Sequence, residues 1–168
     1  MWLDLKDIIE MPGSEKEFEC VLDTAELDFP SVERFIEPPA AKGRVTNTAG
    51  VLTLTGQLRA VMLCVCDRCS REFEHEKLIE LNVPLSADME DEGDDPDVFP
   101  VEGNGIELSE VLETCFILEM DTKLLCRPDC RGLCGTCGKN LNDGPCSCRA
   151  STDPRLAVLG QLLDIDDK

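Results

Sequence analysis

Six of the chain's eleven cysteines fall in one stretch, from Cys126 to Cys148, which reads CRPDCRGLCGTCGKNLNDGPCSC. Within it Cys134 and Cys137 stand two residues apart in a glycine-rich frame, GLCGTCGKNLN. Small residues let the backbone fold closely enough for both sulfurs to face one ion, the knuckle geometry of a structural zinc site. A further pair, Cys66-Asp67-Arg68-Cys69, lies far upstream. The first residues, Met1 to Asp7, have neither the basic nor the apolar segment of a secretory signal. The expectation is therefore a cytoplasmic, reducing setting, in which an odd number of cysteines reads as metal ligands ahead of disulfides.

The rest of the chain predicts an α+β fold, a mainly antiparallel β-sheet domain with a few helices and a C-terminal zinc-binding module. Residues 1–16 carry no clear pattern. Phe18, Cys20 and Leu22 alternate with Glu17, Glu19 and Asp23 as in a half-buried strand. The proline-framed segment 30–39 admits a short helix or an irregular crossing. A strand is expected over 43–48, and Asn47-Thr48-Ala49-Gly50 is a turn signal. Leu52, Leu54, Leu58, Ala60, Met62 and Cys64 then share one parity, against Thr53, Thr55, Gln57 and Arg59 on the other, giving a long period-two strand. From Val61 both parities are apolar, so the end of this strand is expected to be covered on both faces. A second long strand follows, with Phe73, His75, Ile79, Leu81, Val83 and Leu85 facing one way. The pair Cys66 and Cys69 thus falls at the tip of a hairpin.

Residues 88–107 open with seven carboxylates between Asp88 and Asp97 and no cation among them, and are expected to form an extended acidic loop. A helix is expected over 108–120, with the Ser109 hydroxyl as N-cap and Leu108, Val111, Leu112, Cys115 and Phe116 on its apolar stripe. The expected organisation is a β-rich domain over 1–121, a Cys-rich zinc module over 122–150, and a C-terminal helix and tail over 151–168. The helix begins at Asp153-Pro154, an N-cap followed by proline. No apolar run approaches the length of a membrane span.

Cys20, Cys64 and Cys115 lie in phase with core residues. Setting them aside leaves Cys66, Cys69, Cys126, Cys130, Cys134, Cys137, Cys146 and Cys148, enough thiols for two four-sulfur zinc sites. Cys134, Cys137, Cys146 and Cys148 can close locally, and Cys66 and Cys69 would then share a second ion with Cys126 and Cys130, joining the sheet to the C-terminal module. A competing arrangement puts one ion on Cys126 or Cys130 with Cys134 and Cys137 and leaves other thiols free, so one or two ions are expected. The spacing does not match ferredoxin-type runs, which favours zinc over an iron–sulfur cluster. His75, the single histidine, falls on the apolar parity of a strand and reads as a core or edge residue. No nucleophile elbow, phosphate-binding loop or dinucleotide-binding glycine pattern is present, and four-thiolate zinc has no open position for water. The chain is therefore read as a non-enzymatic binding factor without a small-molecule substrate.

The Cys66-Asp67-Arg68-Cys69 tip, the stretch Cys126-Arg-Pro-Asp-Cys130-Arg-Gly-Leu-Cys134-Gly-Thr-Cys137-Gly-Lys-Asn-Leu-Asn142 and the ending Asp153-Pro-Arg-Leu-Ala-Val-Leu159 together resemble the YceD family of large ribosomal RNA subunit accumulation proteins. With the acidic loop ahead of the 108–120 helix, the likeness covers most of residues 45–163. It implies a role in large-subunit ribosomal RNA accumulation and ribosome biogenesis in the bacterial cytoplasm, and no enzymatic activity. A net charge of −19 repels RNA at long range and attracts basic proteins. Cations nevertheless gather near the cysteines. Arg68, Arg71, Arg127, Arg131 and Lys139 are the candidates for phosphate contact, set against the reading in which they offset the negative charge of the metal sites. The expected partners are large-subunit ribosomal RNA, a basic ribosomal protein held by the acidic loop, or both. A thiol-redox or metal-responsive regulator is the alternative.

Overall fold

The computed structural model describes residues 1–86 and 98–148. Contacts along the chain divide it into two units, one of Met1–Asp67 with Arg71–Cys126, the other of Arg68–Ser70 with the chain from Arg127 onward. The described residues of the first unit are mostly antiparallel sheet with two helices.

Strand β1 (Trp2–Asp4) and helix α1 (Lys6–Ile9) precede β2 (Glu15–Val21), β3 (Val32–Thr48), β4 (Val51–Val65) and β5 (Glu72–Ser86). Two short strands, β6 (Phe99–Pro100) and β7 (Gly105–Glu107), lead into helix α2 (Leu108–Glu119). Five strands form one sheet in the order β2-β3-β4-β5-β6, antiparallel except for the short β5–β6 pairing, and β1 pairs with β7 separately.

The periodicity of β4 explains its central place. Leu52, Leu54, Leu58, Ala60, Met62 and Cys64 are all buried, while Gln57 and Arg59 are exposed on the other face. Its apolar end is covered less than expected, with Val61, Leu63 and Val65 half-buried. On β5 the same alternation buries Ile79, Leu81, Val83 and Leu85. Helix α2 adds Leu108, Val111, Leu112 and Phe116 to the core, and the Phe116 ring packs edge-on against Phe29 at a centroid distance of 5.8 Å and tilted against Phe35 at 6.1 Å. Cys20 and Cys64 are buried in this core, and Cys115 packs against it half-buried. The expected turn is present at Ala49 and Gly50, both at positive φ. The buried Asn47 closes it, accepting from the Gly50 N–H at 2.8 Å and donating to the Ile8 carbonyl at 2.8 Å.

Several local expectations change. The segment 30–39 is no helix: β3 runs from Val32, with register shifts against β4 at Val32/Arg34, Phe35/Glu37 and Glu37/Ala40. Pro38 and Pro39 supply no N–H to the ladder, which accounts for the last of these, at Glu37/Ala40. Within the region expected to be an open loop over 88–107, the described residues from 98 on include two short strands: β6 extends the sheet beside β5 and β7 pairs with β1. Its acidic part, 88–97, lies outside the described residues, as does the expected C-terminal helix. Helix α2 starts at Leu108, and Ser109 does not cap it; its hydroxyl donates to Glu107 Oε1 at 2.7 Å. Residues 1–16, unpatterned in sequence, contain β1 and α1.

Among its described residues, up to 148, the second unit has little regular structure. A bridge between Leu133 and Asn140 and a 3-10 turn at Leu141–Asp143 are its defined elements. Gly132, Gly138 and Gly144 all have positive φ, so its tight reversals need residues without a side chain.

Candidate metal centre

The knuckle around Cys134 is built by its backbone. The Cys134 N–H donates to the Lys139 carbonyl at 2.8 Å, and the Gly138 N–H returns to the Cys134 carbonyl at 2.9 Å. Gly138, at φ 71°, makes this reversal possible. The N–H groups of Cys137 and Thr136 then point at the Cys134 sulfur and, with the thiols of Cys146 and Cys137, hold its pKa down to about 6. Amides aimed at a sulfur stabilise a thiolate, the form in which cysteine binds metal. Cys148 is pushed the other way, to about 12, chiefly by the neighbouring Cys137. Four thiols this close cannot all ionise without a cation among them.

The sulfurs of Cys134, Cys137, Cys146 and Cys148 all lie within 4.8 Å of one another. Those of Cys66, Cys69, Cys126 and Cys130 form a second group within the same limit. A tetrahedral four-sulfur site with metal–sulfur bonds of about 2.3 Å has its sulfurs about 3.8 Å apart, so both groups need at most a small contraction to close on an ion. The two differ in access. Cys66, Cys69 and Cys130 are 1%, 5% and 2% exposed, whereas Cys137 of the local group is exposed and the other three are half-buried.

Both middle residues of the hairpin pair reach away from the tip. The Asp67 carboxylate accepts from the Ser31 hydroxyl and from the Leu124 N–H, and the Asp67 N–H donates to the Leu124 carbonyl at 2.9 Å. These contacts, the Ser31 hydroxyl first, lower the Asp67 pKa from its usual value. They tie the tip to the chain two residues before Cys126. Arg68 donates from Nη1 to the Cys130 carbonyl at 2.9 Å, and its own carbonyl accepts from the Leu133 N–H at 3.1 Å. A Cβ on Gly132 would lie 3.0 Å from that carbonyl oxygen. Asp67 and Arg68 therefore fix the two segments that supply Cys126 and Cys130.

The other candidate cations differ in how they are bonded. Arg127 Nη2 donates to Asn142 Oδ1 at 2.6 Å, and its Nε lies 3.4 Å from Asp129. Lys139 Nζ donates to the Pro145 carbonyl at 2.9 Å. Arg131 is exposed and joins the network through its backbone N–H, which donates to Asn142 Oδ1 at 2.8 Å. Arg71 is exposed at the hairpin, where its carbonyl accepts from the Cys66 N–H at 2.9 Å. His75 is half-buried on β5 with Nε2 3.3 Å from Asp121, beside the Lys77–Asp121 ion pair at 3.2 Å, and belongs to neither sulfur group.

Sequence reasoning missed Asp67, Asn140 and Asn142 as supports of the cysteines. Asn142 Nδ2 donates to Cys130 Sγ at 3.3 Å and to Asn140 Oδ1 at 2.8 Å. Polar residues at or beside cysteine motifs were the available signal, but their bonding partners lie up to 57 residues away in sequence.

Two chloroplastic relatives, each called "Large ribosomal RNA subunit accumulation protein YCED homolog 1", match this chain. The maize protein is 28% identical over 136 residues, covering 62% of this chain and 46% of its own length. The Arabidopsis thaliana protein is 28% identical over 142 residues, covering 66% and 44%. An uncharacterized protein of Mycobacterium tuberculosis is 29% identical over 123 residues, covering 71% and 59%. The chain thus spans about half the length of the curated relatives it matches. No solved structure matches it. The family model described as "Large ribosomal RNA subunit accumulation protein YceD" matches residues 54–163, a span that takes in all eight clustered cysteines, and the chain belongs to that family.

Proposed function

We infer that the chain is a non-enzymatic factor in large-subunit ribosomal RNA accumulation and ribosome biogenesis, working in the cytoplasm with two structural zinc ions. The observation that carries the metal reading is the pair of four-sulfur groups, each already near tetrathiolate dimensions. Four soft thiolates suit zinc, and a filled four-sulfur shell leaves no position for a reacting water. When bound, the ions would hold the folded chain in shape. Asp67, Arg68, Asn142 and the Cys134 knuckle keep the sulfurs oriented. Near-complete burial of Cys66 and Cys69 favours this over the redox alternative, because a regulatory thiol pair has to meet its oxidant. On this reading residues 122–150 form the zinc module.

The family description supports the ribosomal role. The partner is large-subunit ribosomal RNA, a basic ribosomal protein, or both. Arg68, Arg71, Arg127, Arg131 and Lys139 are the proposed phosphate contacts, and Arg131 is the best probe among them. Its guanidinium is not what binds Asn142, so charge reversal leaves the metal scaffold intact, whereas Arg127 is bonded into it. The test is crosslinking in cells that recovers RNA and protein together, with zinc counted in the purified chain. Arg131→Glu should lower RNA recovery and retain both ions. Less than one zinc per chain from an anaerobic preparation would overturn the metal reading. Recovery of neither ribosomal RNA nor ribosomal protein would overturn the ribosomal role.

A further inference from the structure

The side-chain amide of Asn142 uses its whole bonding capacity. Its Oδ1 accepts from Arg127 Nη2 at 2.6 Å and from the Arg131 N–H at 2.8 Å, while its Nδ2 donates to Asn140 Oδ1 at 2.8 Å and to Cys130 Sγ at 3.3 Å. Two donors meet the oxygen and two acceptors meet the nitrogen, so the network itself fixes which end is which. Asn142 sits on the loop between Cys137 and Cys146, both members of the local sulfur group, yet it hydrogen-bonds a sulfur of the other group.

That loop is held at both ends by the local cysteines. Within it Asn140 Oδ1 also accepts from the Asn142 N–H at 2.9 Å, the Leu141 N–H donates to the Gly132 carbonyl at 2.9 Å, and Lys139 Nζ closes onto the Pro145 carbonyl. An ion on Cys134, Cys137, Cys146 and Cys148 would close the loop and remove much of its conformational freedom. Ordering the loop presents the Asn142 amide to Cys130. A hydrogen bond donated to a ligand sulfur orients it and stabilises its charged form, and loss of such outer contacts costs metal affinity about 10–100-fold.

We propose that the two sulfur groups load cooperatively, with Asn142 as the positioning residue through which an ion on Cys134, Cys137, Cys146 and Cys148 strengthens metal binding at the group containing Cys130. This rests on the reading that both groups bind metal. The coupling is reciprocal, so an ion on the Cys130 group tightens the local one by the same factor.

The test is a cobalt(II) titration of the full reduced, metal-free chain against a competing chelator, following the visible thiolate–cobalt bands, with far-UV circular dichroism to monitor the fold. The unaltered chain should take up two ions in a steep, cooperative transition. The Cys146→Ser/Cys148→Ser variant should bind one ion, at least about tenfold more weakly than the unaltered chain binds its two. Asn142→Asp keeps an oxygen for Arg127 and Arg131 and removes the N–H donor. It should still bind two ions, with cooperativity lost and the weaker ion near the affinity of the cysteine variant. Asn142→Ala should behave likewise, and adding it to the cysteine variant should cause little further loss. Two ions bound independently by the unaltered chain, or an unchanged steep transition in Asn142→Asp, would overturn the proposal while leaving the two-ion reading intact. Fewer than two ions on the unaltered chain would overturn the two-ion reading itself.

Discussion

Asp67 and Arg68 stand in the middle of a cysteine pair, and in sequence they look like spacers. In the folded chain Asp67 is bonded to Ser31 and Leu124, and Arg68 to the Cys130 carbonyl. The thiols themselves were legible, because paired cysteines in a glycine-rich frame have few other physical explanations. The grouping of the sulfurs follows the local-closure argument made from spacing. Their supports were not legible, since a carboxylate or amide chooses its partners only once distant segments meet. Asp67→Ala removes both side-chain contacts that hold the segment before Cys126. Metal affinity at Cys66, Cys69, Cys126 and Cys130 should fall by about 10–100-fold, while the local group changes only through its coupling to that site. Chelator competition on the purified chain measures this, and an affinity unchanged within about twofold would show that Asp67 does not position the site.

At the scale of elements, long strands announced themselves and short ones did not. β4 and β5 are fifteen residues each, long enough for the period-two pattern to stand out. β1, β6 and β7 are two or three residues long and exist only through their pairing, so no periodicity could reveal them. The close packing of Gly43 against Gly56, paired across β3 and β4, was equally hidden. A Cβ on Gly56 would lie 2.3 Å from the Lys42 carbonyl oxygen and 2.7 Å from the Gly43 Cα, both backbone atoms that cannot turn aside. Gly56→Ala must therefore push the two longest paired strands apart. Overpacking of this kind costs about 1–3 kcal/mol or more. Denaturant unfolding of the metal-loaded variant should show a lower midpoint, and an unchanged midpoint would mean that the strands separate at no cost. Because β4 and β5 carry the tip with Cys66 and Cys69, metal affinity offers a second readout of the same distortion.

For the whole molecule, charge decides how partners approach. Thirty-five acidic residues against sixteen basic ones give −19, and each four-thiolate zinc site would add a formal charge of about −2. At about 0.1 M salt the screening length is roughly 10 Å. A polyanion approaching from further away therefore meets net repulsion before it can feel Arg131 or Arg71, whereas a basic protein is drawn in. The two partner readings consequently predict opposite salt dependences of the association rate. A basic ribosomal protein should associate more slowly as salt rises from about 50 to 200 mM, because screening removes the attraction. Large-subunit RNA should show a flat or rising rate over the same range, because screening removes the long-range repulsion before it weakens the short-range phosphate contacts. Stopped-flow association with each partner across that series distinguishes them. An RNA association rate that falls steeply with salt would mean that the cations near the cysteines govern the encounter despite the net charge, and that the field of the whole molecule does not select its partner.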